Sequence, residues 1–121
     1  MNTGRKISGG KYHAERKKRF HEKQRQERVV SLKETKTKQL RIRGGHKKTV
    51  LLNADIVNIS INGKTKKAEI KNVLETPQNS FLARQNRLMK GSIIETSLGK
   101  ARITNRPSQE GHINTVLIEN D

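Results

Sequence analysis

The sequence predicts a mainly β chain: a small antiparallel β-barrel of about six strands with one short helix, preceded by a basic N-terminal extension. Three observations carry that expectation. Val57-Asn58-Ile59-Ser60-Ile61-Asn62 alternates apolar and polar residues strictly, and Asn62-Gly63 follows as a hairpin turn signal. The apolar residues are concentrated late, 26 in residues 49–121 against 10 in residues 1–48. The charge runs the other way, with 17 Lys and Arg against four Glu in residues 1–48 but 10 against seven acidic residues in the remainder. At 121 residues the chain has room for one domain plus an appendage. We therefore expect an extension over residues 1–40 and a barrel domain over residues 41–121, with the boundary near residues 38–48.

The extension has too little apolar surface to offset the entropy lost on ordering, so it should be disordered until a partner orders it. Its span from Ala14 to Glu34 is rich in helix formers, and Glu15–Arg19, Lys18–Glu22 and Lys23–Glu27 are i,i+4 pairs of opposite charge. Tyr12, Phe20, Val29 and Leu32 make no continuous stripe that could dock on a core. The plain alternative is a solvated, partly helical tail. The functional alternative is an arm that lies along phosphates, its cations Arg5, Lys6, Lys11, Arg16, Lys17, Lys18 and Arg19 neutralising them.

Next comes Arg41-Ile42-Arg43-Gly44-Gly45-His46-Lys47-Lys48, expected to join tail to domain. Gly44 and Gly45 would let backbone approach phosphates closely, with Arg41, Arg43, Lys47 and Lys48 on either side. A flexible glycine hinge with solvated charges is compatible with that reading. In the domain, Val50, Leu52 and Ala54 alternate in the opposite phase to Val57, Ile59 and Ile61, so a bulge or bend is expected near Asp55. Residues 56–72 read as a hairpin. Thr76-Pro77 resembles a helix start, and Phe81, Leu82, Leu88 and Met89 could cover one end of a sheet. A second hairpin runs from Ser92 to Thr104 around Ser97-Leu98-Gly99, and Ile113 to Ile118 supplies a last strand after the Arg106-Pro107 loop. The connections are too short for parallel crossovers, which is why an antiparallel barrel is expected. Arg84, Arg87 and Lys90, with Arg102 and Arg106 further on, form a second basic group, although each alone could be a solvated face.

The net charge of +16 points to a polyanionic partner. Enzyme chemistry finds no footing. The chain has no cysteine, and His13, His21, His46 and His112 lack metal-ligand spacing. Asp55, Glu69, Glu75, Glu95 and Glu110 are scattered where a nuclease would cluster them. Gly63-Lys64-Thr65 copies the end of a phosphate-binding loop, but the motif's earlier glycine is Asn58 and the string sits on a hairpin. Ser8-Gly9-Gly10-Lys11 has no strand before it. No catalytic residue, metal or cofactor is expected. Apolar runs reach only three residues, too few to span a bilayer, and Met1 to Ser8 lack the apolar stretch of a secretory signal, so the chain should stay where it is made. With only Tyr12, Phe20 and Phe81 aromatic, a stacking platform for single strands is disfavoured, and phosphate and shape recognition of folded RNA is favoured.

One long string is specific. Residues Lys90-Gly91-Ser92-Ile93-Ile94-Glu95-Thr96-Ser97-Leu98-Gly99-Lys100-Ala101-Arg102-Ile103-Thr104-Asn105-Arg106-Pro107 resemble the signature of the archaeal and eukaryotic small-subunit ribosomal protein family S8e. The resemblance extends through Arg41 to Gly45 with Lys47-Lys48, and through Glu75-Thr76-Pro77-Gln78-Asn79 with Ala83-Arg84-Gln85-Asn86. It is patchier before residue 41, where Ser8-Gly9-Gly10 and Lys17-Lys18-Arg19-Phe20 resemble the family's strings. The length resembles the short archaeal form. His46 and Ser108 stand where the family usually has Asn and Gly, and a glycine expected after a Thr-Lys pair near residues 35–38 is absent.

The resemblance implies a non-enzymatic structural constituent of the small subunit, bound to its ribosomal RNA and to neighbouring ribosomal proteins. It further implies a cytoplasmic monomer within the ribosome, with no small-molecule substrate and no membrane partner. A non-ribosomal RNA-binding assembly factor is the alternative. A polybasic membrane-surface protein would need an amphipathic helix that Lys11 to Lys33 does not provide.

Overall fold

The computed structural model describes residues 4–13, 15–24 and 27–118. From Ser31 onward the strands and α-helix are β1 (Ser31–Leu32), β2 (Lys36–Arg41), β3 (Lys47–Ala54), β4 (Ile56–Ile61), β5 (Lys64–Glu75), α1 (Ser80–Arg84), β6 (Ile93–Thr96), β7 (Gly99–Ile103) and β8 (Asn114–Leu117), with a 3-10 turn at Arg43–Gly45. Strands β4 to β8 close a barrel in sequence order, and β1, β3 and β2 form a separate three-stranded sheet. No helix among the described residues is long and apolar enough to cross a membrane.

The expected small barrel with one short helix is therefore present, closed by five strands. The strand predicted from Val50 to Ala54 lies outside it, at the centre of the smaller sheet. What reads in sequence as a phase slip near Asp55 is the corner between the two sheets. At that corner the Asp55 carboxylate accepts a hydrogen bond from the Thr35 hydroxyl, and the Asp55 carbonyl accepts one from the Ile70 N–H at 2.8 Å.

Closure is parallel, not antiparallel, between β4 and β8. The reason is parity. With an odd number of strands, each antiparallel to the next in sequence, the first and last strands run the same way, and the barrel itself is the long connection that parallel pairing needs. The β4–β5 hairpin pairs Ile61 with Lys64, leaving Asn62 and Gly63 as a two-residue loop, both at positive φ as a primed turn requires. Strand β5 shifts register between Ile70 and Asn72 and again between Val73 and Glu75. Its buried positions accordingly move from Ala68 and Ile70 to Val73, and the long strand bends around the barrel.

The core includes Val57, Ile59, Ile94, Ala101, Ile103 and Ile113 from the barrel, joined by Leu51 and Ala54 of β3 and by Val30. Thr96 and Thr115 are buried with their hydroxyls donating to the carbonyls of Gly99 and Asn58. Helix α1 begins three residues after Pro77, where the Asn79 side chain accepts the Phe81 N–H at 3.0 Å. Leu88 is buried in the core, but Phe81 is 65% exposed and faces the Arg84 guanidinium at 5.8 Å.

The segment before β1 is built into this core. Val30 is 3% exposed, and its carbonyl accepts the Leu88 N–H at 2.9 Å. Leu32 donates its N–H to the Asn86 carbonyl, and β1 lies parallel to the end of β3. A boundary at residue 40 falls inside β2. Every described residue before Val30 is exposed. Of the tail span with helical propensity, Ala14, Arg25 and Gln26 lie outside the described residues. In the remainder one short 3-10 turn forms, Phe20–Glu22, because an apolar-poor segment has nothing to pack a longer helix against.

Deleting residues 1–29 should leave Tm within a few degrees of the full chain. Deleting residues 1–40 strips β3 of both neighbours and the core of Val30, and should lower Tm by roughly 10 °C or more. Thermal melts of both truncations check this.

Candidate nucleic-acid interface

The sequence-predicted cations fall into three places. The first is the extension. Arg5 and Lys11 face each other across a small loop closed by Lys6 and Gly9–Gly10 backbone hydrogen bonds, and the Arg5 guanidinium donates to the Gly9 carbonyl at 3.1 Å. The Lys6 ammonium sits 5.7 Å from the Tyr12 ring centroid. Further along, the Glu22 carboxylate receives both nitrogens of Arg16, at 2.8 and 3.0 Å, and the backbone N–H of Arg19 at 2.8 Å. Glu22 thus pairs with Arg16 and not with Lys18, the helical partner expected from the spacing, because the bidentate geometry satisfies the carboxylate without a helix. Lys17, Lys18 and Arg19 are left exposed around Phe20, itself 83% exposed.

The second place is the string Arg41 to Lys48, which is the tip of the β2–β3 hairpin and not a joint between tail and domain. Arg41 pairs with Lys47 and Leu40 with Lys48, while the Ile42 N–H donates to the His46 carbonyl at 2.8 Å. Gly44 and Gly45 both have φ of 78°. A side chain at Gly45 would meet nothing within 4 Å, so glycine is there for its backbone conformation. At Gly44 an added Cβ would come 3.3 Å from His46 Cδ2. A depression of about 520 Å³ is lined by Arg41, Ile42, Arg43 and Gly44. Arg41, Arg43 and Lys47 are exposed and Lys48 is half-buried.

The third place is where the extension leaves the domain. Arg87 and Arg106, far apart in sequence, line one cavity together with Lys90 and Arg28. Arg84 lies apart from it, on α1 against Phe81. Arg28 was not foreseen. The one usable signal is its neighbour, since Val29-Val30 is the first adjacent apolar pair in the chain and marks where the extension docks. Because β1 pairs with the Asn53–Ala54 end of β3 and the glycine tip lies at its Lys47 end, this exit and the tip are about 20 Å apart along one strand.

Among the described residues, Arg16 is the one candidate cation within ion-pair distance of a carboxylate; the other close pairs involve His21 and His112. Nor do three His, Asp or Glu residues gather there as a metal site would require. The surface is thus a set of cations, all but Arg16 lacking a carboxylate within ion-pair distance among the described residues, spread over the hairpin tip, the exit cavity and the extension.

A family model described as ribosomal protein S8e matches residues 1–118. A small ribosomal subunit protein eS8 from Methanosarcina barkeri is 43% identical over 120 residues, covering 98% of this chain and 96% of the relative. Its counterpart from Staphylothermus marinus is 43% identical over 122 residues, covering 98% and 94%. That from Halorubrum lacusprofundi is 40% identical over 116 residues, covering 95% and 94%.

The Arg16 guanidinium, and then the Arg19 N–H, hold the Glu22 carboxyl below the ordinary glutamate range. A depressed value means that the bias toward the turn is fully present above the ordinary glutamate pKa and lost as pH falls through the lowered one. An NMR titration should find Glu22 titrating below the ordinary glutamate value. Glu22→Gln should remove the acid-dependent shift of the Arg19 amide.

Proposed function

The chain belongs to the ribosomal protein S8e family, and its role is that of a ribosomal structural protein; we propose that it binds and stabilises small-subunit ribosomal RNA through phosphate and shape recognition. The observation that carries this reading is the distribution of cations. The extension offers Arg5, Lys6, Lys11, Lys17, Lys18 and Arg19 free of carboxylates among the described residues, and Arg16 ordered by Glu22. The hairpin tip offers Arg41, Arg43, Lys47 and Lys48 around a backbone bared by Gly44 and Gly45. The exit offers Arg87 and Arg106, with Arg84 on the adjacent helix. Fixed cations at two ends of β3 recognise the spacing of phosphates on a folded RNA, and the extension adds neutralising charge along its length.

The division of labour proposed here places the extension in residues 1–29 and the compact unit from Val30 onward. Val30 to Leu32 determine where the extension emerges. In this reading the protein works without cofactor or catalysis, as a monomer inside the cytoplasmic ribosome beside other ribosomal proteins.

Sedimentation of an extract, with a salt wash of the small-subunit fraction, tests the role. About one copy retained per mature small subunit supports it, and confinement to precursor particles would make the chain an assembly factor. If six to ten cations contact phosphate, affinity should fall by about three to five powers of ten between 50 and 200 mM salt. Replacing Gly44 and Gly45 by Val forces β-branched residues to positive φ and should weaken RNA binding about tenfold or more. Lys64→Ala, on the exposed β4–β5 hairpin, should have a smaller effect. Equal effects in a filter-binding assay would reduce the tip to a plain turn.

A further inference from the structure

The cavity at the exit of the extension has more chemistry than phosphate binding needs. It holds about 220 Å³, below the roughly 300–1,000 Å³ of pockets that enclose drug-sized ligands. Val29, Leu88, Met89 and Pro107 give it an apolar lining, with Leu88 and Pro107 buried. Arg28, Arg87, Lys90 and Arg106 supply positive charge, and Glu27 adds a carboxylate. Its walls are tied to the domain. Leu88 donates to the Val30 carbonyl, the Gln78 side-chain amide donates to the Lys90 carbonyl at 2.5 Å, and the Arg106 carbonyl accepts from the N–H groups of Gln109 and Glu110.

An inorganic phosphate would be drawn to the four cations but would gain nothing from the apolar lining and would leave Glu27 facing another anion. A duplex is too wide to enter. A single nucleobase matches all three features. Its faces would lie against aliphatic groups, Met89 and guanidinium planes, its N–H edge would donate to the Glu27 carboxylate, and its flanking phosphates would meet the lining cations.

Building on the ribosomal RNA reading above, we propose that this cavity receives one unstacked base, from a loop or bulge of the small-subunit RNA. The extension would then leave the domain directly beside that nucleotide, with Arg28 serving both.

The test compares full-length wild type with Ser108→Leu, which adds aliphatic volume at the half-buried cavity wall without changing charge. Both are bound to small-subunit ribosomal RNA over a salt series and followed by base-specific chemical probing. The proposal expects wild type to protect the base edge of one unpaired nucleotide. Ser108→Leu should lose that protection and bind about tenfold more weakly, with the salt slope and the backbone protections unchanged. If a melt shows Ser108→Leu to be unfolded, Val29→Met decides instead, at a position already 41% exposed. Wild-type binding without a single-base protection, or folded variants that bind and protect as wild type does, would overturn the cavity while leaving the ribosomal RNA reading intact. Absence of any wild-type binding to this RNA would overturn both.

Discussion

The arrangement depends on one short piece of chain, Val30 to Leu32, held from both sides. On one side β1 runs parallel to the end of β3. On the other, the Val30 carbonyl and the Leu32 N–H pair with Leu88 and Asn86. Burying the valine stabilises this attachment by roughly 2 kcal/mol, and each of the two backbone hydrogen bonds adds about 1 kcal/mol. That is small against whole-domain stability but large against the near-zero cost of displacing an exposed, unpacked tail. The consequence is positional: the chain cannot leave the domain anywhere else. The cations before residue 30 therefore begin their path next to Arg87, Lys90 and Arg106.

The corner at Asp55 has the complementary role. It separates a barrel whose interior is filled by aliphatic side chains from a sheet whose β2–β3 hairpin projects the glycine tip. The Thr35 hydroxyl and the Ile70 N–H both end on Asp55, so the connection from β1 to β2 and the middle of β5 share one fixed point. Barrel, hairpin and extension exit are thereby registered to one another. Shape recognition of a folded RNA needs such registration, because scattered cations on independently moving segments would supply affinity without fixing orientation.

Much of this was legible in the sequence. The strict alternation from Val57 to Ile61 and the Asn62-Gly63 turn identified the first barrel hairpin, and Ser97-Leu98-Gly99 identified the second. The phase change at Asp55 was visible too, though its meaning was not, since a bulge and a sheet-to-sheet corner leave the same mark on alternation. The parallel closure of β4 on β8 has no local signal, because it follows from how many strands the barrel contains. Residues 31–40 read as tail because Lys36 and Lys38 are basic and solvent-facing, whereas their strand identity comes from pairing with β3. At the candidate interface, the glycine tip and the tail cations are readable as candidates from charge and motif. The meeting of Arg28, Arg87 and Arg106 was hidden, as it is produced by tertiary contacts over some 80 positions.

The account is most directly tested by amide hydrogen exchange on the free full-length protein. If Val30 to Leu32 are part of the folded unit before any RNA is present, the amides of Leu32 and Leu88 should exchange as slowly as those of barrel strand β4, while those of described residues before Val30 exchange at nearly the unprotected rate. Exchange of Leu32 and Leu88 as fast as the extension would show that the clamp is absent in the free protein, and the account of how the extension is aimed would fail.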